Sequence, residues 1–421
     1  ATLAVGAPAL GLAAAAPFGA VAVGAFLTSG GPVFELFARE GDRQEGRLAS
    51  LAGFALAATG LALLTPAFGM PVGVFVATVL LVGYGNLGDA LARAVRGGEF
   101  PAATGFVVAG TLAAVAGQLA PAAVAGRVPA VTPTAVFLGA SGALLAALVR
   151  SVFVGREDAL VVLSVGMALW LLADVGTGAG WTTVGVGLAV TAGFGYLSWT
   201  LGTASVPGML TGVLLGLLTV VLGGYGWFAV LIAFFGVGGL SAKYRYDEKL
   251  DRGVAEPQGG ARGSGNVLGN AAPAVAAVVL FAASGRLPLP RELFLYAFTG
   301  SLATALGDTL SSEIGGLYDK PRLVTTLDAV PPGTDGAVTW QGELAGLAGA
   351  AAVAGLAGWL FSLPLAGAVL VVGAGLVGMT TDSLLGATVE GGRVGNQAVN
   401  FLATATGAVV GAAFALAAGL L

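Results

Sequence analysis

Residues 344–382 read LAGLAGAAAVAGLAGWLFSLPLAGAVLVVGAGLVGMTTD, two apolar runs that meet at Ser362-Leu363-Pro364, with no charged side chain between Glu343 and Asp382. A helix needs about 20 predominantly apolar residues to cross about 30 Å of hydrocarbon, and each run meets that length. Runs of the same kind recur along the chain, near 3–28, 48–68, 71–92, 104–125, 131–149, 157–173, 181–200, 207–222, 226–241, 266–284, 293–314, 341–362, 365–388 and 397–420. The stretch 59–75, interrupted by Gly and Pro, also fits a re-entrant segment. The expected fold is therefore all-α, a polytopic integral membrane helical bundle of roughly 11–14 transmembrane helices.

Composition agrees. Hydrophobic residues make up 57% of the 421 and charged residues 10%, with a mean hydropathy of +0.92, which lies outside the range of soluble domains. The 71 glycines read mainly as helix packing, because small residues let helices approach where lipid gives no hydrophobic drive. Residues 1–28 have neither a charged leading region nor a cleavage pattern and read as a first helix. A formal net charge of −4 with 18 Lys and Arg gives no reason to expect a nucleic-acid partner. The basic residues are mostly Arg, and with a pI of about 4.9 they suggest a GC-rich, salt-loving source.

The chain has no Cys and no His. Disulfides, thiolate metal sites and imidazole bases are excluded, so a metal must be held by oxygen and Mg²⁺ is the natural candidate. No Walker A sequence, GxSxG or HExxH occurs.

Polar sequence is concentrated in a few places. The largest is Ser241–Asn270, SAKYRYDEKLDRGVAEPQGGARGSGNVLGN. Its cations Lys243, Arg245, Lys249, Arg252 and Arg262 place the loop 241–265 in the cytoplasm of a multi-pass cell-membrane protein. Connections near 174–181, 201–207 and 223–226 carry no Lys or Arg and are expected outside. A working boundary near 240 separates an N-terminal bundle of unknown role, 1–240, from a C-terminal membrane domain, 241–421, that holds the phosphate and metal motifs.

Asp308 and Asp382 each end a long apolar run. An ionised carboxylate at membrane depth costs about 2.5–3.5 kcal/mol even on lenient insertion scales, so each is expected to have a partner. Both are read as catalytic and, with Glu313, as metal ligands. Helical spacing sets Asp308 beside Ser312 and Thr309 beside Glu313. Asp308 and Glu313, five apart, reach one ion only through a helix break, which Gly315-Gly316 permits. The plainer reading puts these acids in the headgroup zone as caps or ion-pair members. Gly88-Asp89-Ala90-Leu91 echoes Gly307-Asp308-Thr309-Leu310 and Thr381-Asp382-Ser383-Leu384.

The 241–270 stretch has the composition a polyanion requires. Lys249, read as catalytic with the two Asp residues, and the guanidinium forks of Arg252 and Arg262 supply charge, Gly260 exposes backbone N–H groups, and the sequence then opens an apolar helix whose positive end faces a bound phosphate. Asn266 and Asn270 share a helix face, and Asn396 and Asn400 repeat the spacing; all four are read as orienting phosphate. Lys320 and Thr334, in the loop running from Lys320-Pro321-Arg322 to the PPGTDG turn at 331–336, complete the set. A solvated loop that fixes topology and binds anionic headgroups needs many of the same residues.

These motifs together resemble a known family. DEKLDRGVAEPQGGARGSGNVLGN (247–270), GSLATALGDTLSSEIG (300–315), PRLVTTLDAVPPGTDGAVTWQGELAGLAGA (321–350) and GMTTDSLLGATVEGGRVGNQAVNFLATATGA (378–408) occur in the order seen in the membrane family of transmembrane protein nineteen. That family includes the phytyl-phosphate kinase of plant chloroplasts and many archaeal homologues. Gly307 stands where the family commonly has Ala. The resemblance covers about 243–410. It implies transfer of a phosphoryl group from CTP or another nucleoside triphosphate such as ATP to an isoprenoid monophosphate, phytyl or geranylgeranyl phosphate, within the membrane lipid. An acceptor that is already an ionised phosphate requires no general base, which suits a chain without His. Two other readings use the same residues: a cytidylyltransferase making a CDP-linked lipid, and a transporter or flippase for a phosphorylated lipid or ion.

Overall fold

A computed structural model describes residues 1–153, 158–391 and 394–421. The expected spans are helices, and twelve of the described helices are long and apolar enough to cross a membrane. The protein is a polytopic helical membrane bundle. Two compact units divide it, Ala1–Val184 and Gly185–Leu421. The boundary read near 240 marks where polar sequence begins, whereas packing divides the chain earlier, because the helices that follow 184 pack with the later ones.

In the first unit the main helices are α1 (Ala15–Leu27), α2 (Ala49–Phe68), α3 (Val72–Arg96), α4 (Glu99–Val124), α5 (Pro133–Val152) and α6 (Asp158–Val175). The stretch 59–75 is not re-entrant. Its first part completes α2, which tolerates Pro66, and the chain turns at Gly69 in the left-handed region (φ 79°) before α3 begins. Asp89 is paired with Arg93 (3.0 Å), one helical turn on, so the acid that echoes Asp308 is an ion-pair member. Asp158 accepts from Arg39 (2.6 Å) and Asn86 (3.3 Å).

The helix α7 (Trp181–Thr200) crosses the unit boundary. The second unit continues with α8 (Val206–Leu218), extended by a π turn to Gly223, α9 (Tyr225–Lys243), α10 (Ser264–Ala282), α11 (Arg291–Gly315), α12 (Trp340–Phe361), α13 (Leu365–Thr388) and α14 (Asn396–Ala417). The helix α11 is central, packed against α9, α10, α12, α13 and α14. It is not among the twelve spans that qualify by composition, because protein surrounds it and it can carry Thr299, Ser301, Thr304 and Glu313 buried. Close approach comes from facing glycines. A Cβ on Gly407 of α14 would lie 2.7 Å from the Gly300 carbonyl of α11. At one end Trp227 packs on Phe281 (4.5 Å between centroids), Phe298 (4.7 Å) and Phe361 (5.9 Å).

The opposite end of this unit gathers its polar loops. Two short strands, β1 (Arg322–Leu323) and β2 (Ala337–Val338), pair antiparallel in the loop between α11 and α12. The backbone of Ser205 donates to Arg262 O (3.1 Å) and that of Arg262 to Thr203 O (2.9 Å). The connection 201–205 therefore lies at the same end as the loop 241–263, which corrects the expectation that 201–207 is on the other side. α8 and α9 form a hairpin turning at Gly224 (φ 102°), so the chain returns to the end it left. Lack of Lys and Arg in a short loop carries no side information of its own.

Candidate functional site

The C-terminal turns of α11 and α13 and the N-termini of α10 and α14 enclose a cavity of about 690 Å³, within the size range of small-molecule sites. Gly263 and Gly395 precede α10 and α14, and neither helix has a side-chain cap. Their first N–H groups lack intrahelical partners. Gly263, Gly265 and Asn266 from one helix start, and Asn396 and Gln397 from the other, line the cavity. Two positive helix ends thus face one polar space.

Across that space, Asp308 and Asp382 come within hydrogen-bonding reach of each other. Among the described residues neither has a Lys or Arg in salt-bridge distance. Asn400 supports the pair: with its amide oriented to satisfy both ends, Nδ2 donates to Asp382 Oδ1 (3.3 Å) and Oδ1 accepts from Asn270 Nδ2 (3.2 Å). The i,i+4 Asn pairs of α10 and α14 are thereby joined to the acid pair. The Asn266 side-chain oxygen is buried without a partner among the described residues.

Among the described residues that line the cavity, Arg262 is the basic one. It is 8% exposed, its Nη1 is buried without a hydrogen-bond partner among the described residues, and its guanidinium lies 5.5 Å from the Phe234 ring centroid. Burial pushes its pKa down, an effect opposed by the charges of Glu256, Glu313 and Asp308. Lys249 and Arg252 are engaged elsewhere. The Lys249 ammonium, 1% exposed, donates to Glu313 Oε2 (2.5 Å) and Ser241 O (2.7 Å). Arg252 donates to Gly316 O (2.9 Å), Tyr318 O (3.0 Å) and Asp319 Oδ1 (2.8 Å). Both tie the short helix Tyr246–Asp251 and the turn after it to the end of α11. Because α11 runs unbroken to Gly315, Glu313 points at Lys249 while Asp308 faces Asp382. Gly260 is buried with φ 79° and does not line the cavity, Thr334 is exposed on its rim, and Lys320 is exposed and does not line it.

Several acids escaped the sequence reading. Glu256 and Glu390 line the cavity with Asp335, and Glu343 bonds Ser311. Burial, then the charge of Glu313, raises the pKa of Glu256. Burial, then Asp335, raises that of Glu390, which also bonds Asn396. Among the described residues no three acids converge on a single ion position. The adjacent Asp308 and Asp382 carboxylates, oxygen donors without a salt-bridged cation among the described residues, are the pair suited to a divalent cation. Magnesium commonly takes one or two carboxylates and completes its shell with water and phosphate oxygens.

A family model described as integral membrane protein DUF92 matches residues 189–408, which covers every element of this site. The chain belongs to the DUF92 family. An uncharacterized membrane protein of Synechocystis is 35% identical over 191 residues, 44% of this chain and 73% of that protein. An uncharacterized membrane protein of Methanocaldococcus jannaschii is 33% identical over 206 residues, 48% of this chain and 82% of that protein. The chloroplastic protein VTE6 of Arabidopsis thaliana is 32% identical over 211 residues, 49% of this chain and 63% of that protein. No solved structure matches. The DUF92 match is the membership that the four ordered motifs implied.

Proposed function

We propose that this DUF92 protein is a magnesium-dependent phosphotransferase that moves a phosphoryl group from a nucleoside triphosphate, CTP or ATP, to an isoprenoid monophosphate. The observation that carries this reading is the joining, in one polar cavity, of the carboxylate pair Asp308 and Asp382, which among the described residues has no Lys or Arg in salt-bridge distance, with two uncapped helix N-termini and the buried Arg262. Carboxylates without cations suit a metal, whereas open N–H groups and a guanidinium suit phosphates. A metal–polyphosphate complex satisfies both.

A phosphate monoester has its second pKa near about 6, so an acceptor oxygen is already ionised at neutral pH. That oxygen attacks the γ-phosphorus, the bond from γ-phosphorus to the β–γ bridging oxygen breaks, and the nucleoside diphosphate leaves with the electron pair. No proton needs to move. Magnesium, when bound, neutralises phosphate charge. Asp308 and Asp382 would hold it, Asn400 fixes Asp382, and Arg262 with the N–H groups of α10 and α14 positions the phosphates for in-line transfer. The cavity end is assigned to the cytoplasm, where nucleotide is available.

The test is incubation of detergent-purified protein with Mg²⁺, labelled CTP or ATP, and phytyl or geranylgeranyl monophosphate. Prenyl diphosphate and nucleoside diphosphate are expected. Asp308→Asn and Asp382→Asn are each expected to reduce turnover by at least about 10²-fold. Release of pyrophosphate would identify a cytidylyltransferase, and absence of nucleotide turnover with several lipid phosphates would favour transport.

A further inference from the structure

Arg262 lines two cavities. Besides the polar one, it borders a cleft of about 70 Å³ between α7, α8 and α9. The cleft is walled by Phe194, Met209, Phe228, Ile232 and Phe235, with Gly212 on α8 facing it. It is too small for a nucleotide. Phe194, at its margin, is 42% exposed, so the cleft is not sealed.

Where an apolar cleft and a phosphate-binding cavity share a buried guanidinium, the fitting ligand has an apolar chain and an anionic head. The hydrogen-bonding need of Arg262 Nη1, buried without a partner among the described residues, points to that head. The buried Phe234 ring beneath the guanidinium holds Arg262 in place between the two cavities. We propose that the cleft between α7, α8 and α9 holds the first isoprene units of the lipid monophosphate acceptor, with Arg262 gripping its phosphate and Gly212 keeping the cleft open. This deepens, and rests on, the phosphotransferase reading. It assigns selection of the acceptor chain to residues 194–235, which precede Asp308 and Asp382 in the chain.

Gly212 supplies the cleanest test. A Cβ there meets no atom within 4 Å, whereas one on Gly195 or Gly216 would strike α8 or α7 and α9 respectively. Gly212→Leu therefore fills the cleft without forcing the helices apart. Equilibrium binding of geranylgeranyl phosphate is measured without nucleotide, beside thermal melting as a check on folding, and turnover is measured with geranylgeranyl phosphate and with the five-carbon dimethylallyl phosphate. Gly212→Leu is expected to weaken geranylgeranyl phosphate binding by at least about tenfold and to lower dimethylallyl phosphate turnover as well, because its single isoprene unit occupies the same cleft. Ile232→Trp, which fills the cleft from α9, is expected to act the same way and serves if the first variant does not fold. Loss of binding in the variants, beside a wild type that binds geranylgeranyl phosphate but shows no nucleotide turnover, would keep the cleft and sink the kinase. Unchanged geranylgeranyl phosphate binding in both folded variants, or no binding by wild type, would overturn the cleft assignment even where turnover is seen.

Discussion

Lys249 and Glu313 are 64 positions apart and form a pair with side chains 1% and 6% exposed. Removing one partner from such a pair strands the other charge and costs about 3–5 kcal/mol, whereas replacing both by apolar groups is often neutral. Lys249→Met is accordingly expected to lower the melting temperature sharply in detergent, and adding Glu313→Leu to recover most of the loss. If the double variant also regains turnover, the pair is structural; a folded double variant without turnover would return Glu313 to the chemistry. Glu256 behaves differently. Burial and then Glu313 raise its pKa above the ordinary 4.5, so the stability linked to its neutral form is fully present below 4.5 and is lost as pH rises through the raised value. Glu256→Gln should melt no lower than wild type near neutral pH, and its advantage should shrink as pH falls toward 4.5. An advantage that grows on acidification would contradict the assignment. Neither role was legible in sequence. Asp308 and Asp382 stood out because each ends an apolar run where charge is costly, but Lys249 and Glu256 lie in a polar stretch where charge is ordinary, and only the fold reveals their burial.

At the level of elements, helix placement followed from apolar run length. The pairing of α10 with α14 was partly legible in their shared Asn spacing, but not the direct link from Asn270 through Asn400 to Asp382, which depends on how closely the helices approach. That approach is set by glycine. In α14 a Cβ at Gly407 would come within 2.7 Å of Gly300 O and closer still to the Thr304 hydroxyl of α11. Backbone cannot yield as a flexible side chain does. Gly407→Ala should destabilise by about 1–3 kcal/mol, with a larger loss for Gly407→Leu, both read by thermal denaturation. Since the same helix carries Asn400, turnover in Gly407→Ala should fall with little change in nucleotide KM. Intact melting in both variants would mean the helices are not held by this contact. The helix starts at Gly263 and Gly395 differ from those at Ser205 and Thr339, whose hydroxyls accept from Gly208 N (3.2 Å) and Gly342 N (3.1 Å). Glycine at the first two positions leaves open the N–H groups that a phosphate would take.

Across the whole chain, charge counting predicts the loop 241–265 in the cytoplasm and 201–207 on the other side, and the second expectation fails against the first, because the positive-inside rule weighs cations that are present and has little to say of loops without them. Hydrogen bonding supplies what charge could not. Ser205 and Thr203 bond the Arg262 backbone, and Gly226 at the start of α9 approaches Phe361 at the end of α12. Residues 201–205 and 241–263 therefore share one end of the second unit, and 225 and 361–365 share the other. The chain contains no Cys, so single introduced thiols report side directly. Leu201→Cys and Asp247→Cys, both at exposed positions, are expected to react with a membrane-impermeant maleimide in inside-out vesicles alone. Tyr225→Cys and Leu365→Cys, 51% and 82% exposed in wild type, are expected to react in right-side-out vesicles alone. Labelling of 201 and 247 from opposite sides would break the hairpin of α8 and α9. Labelling of both from the outside would leave the helices standing but turn the cavity away from cytoplasmic nucleotide, and a phosphotransferase of this design could not work from there.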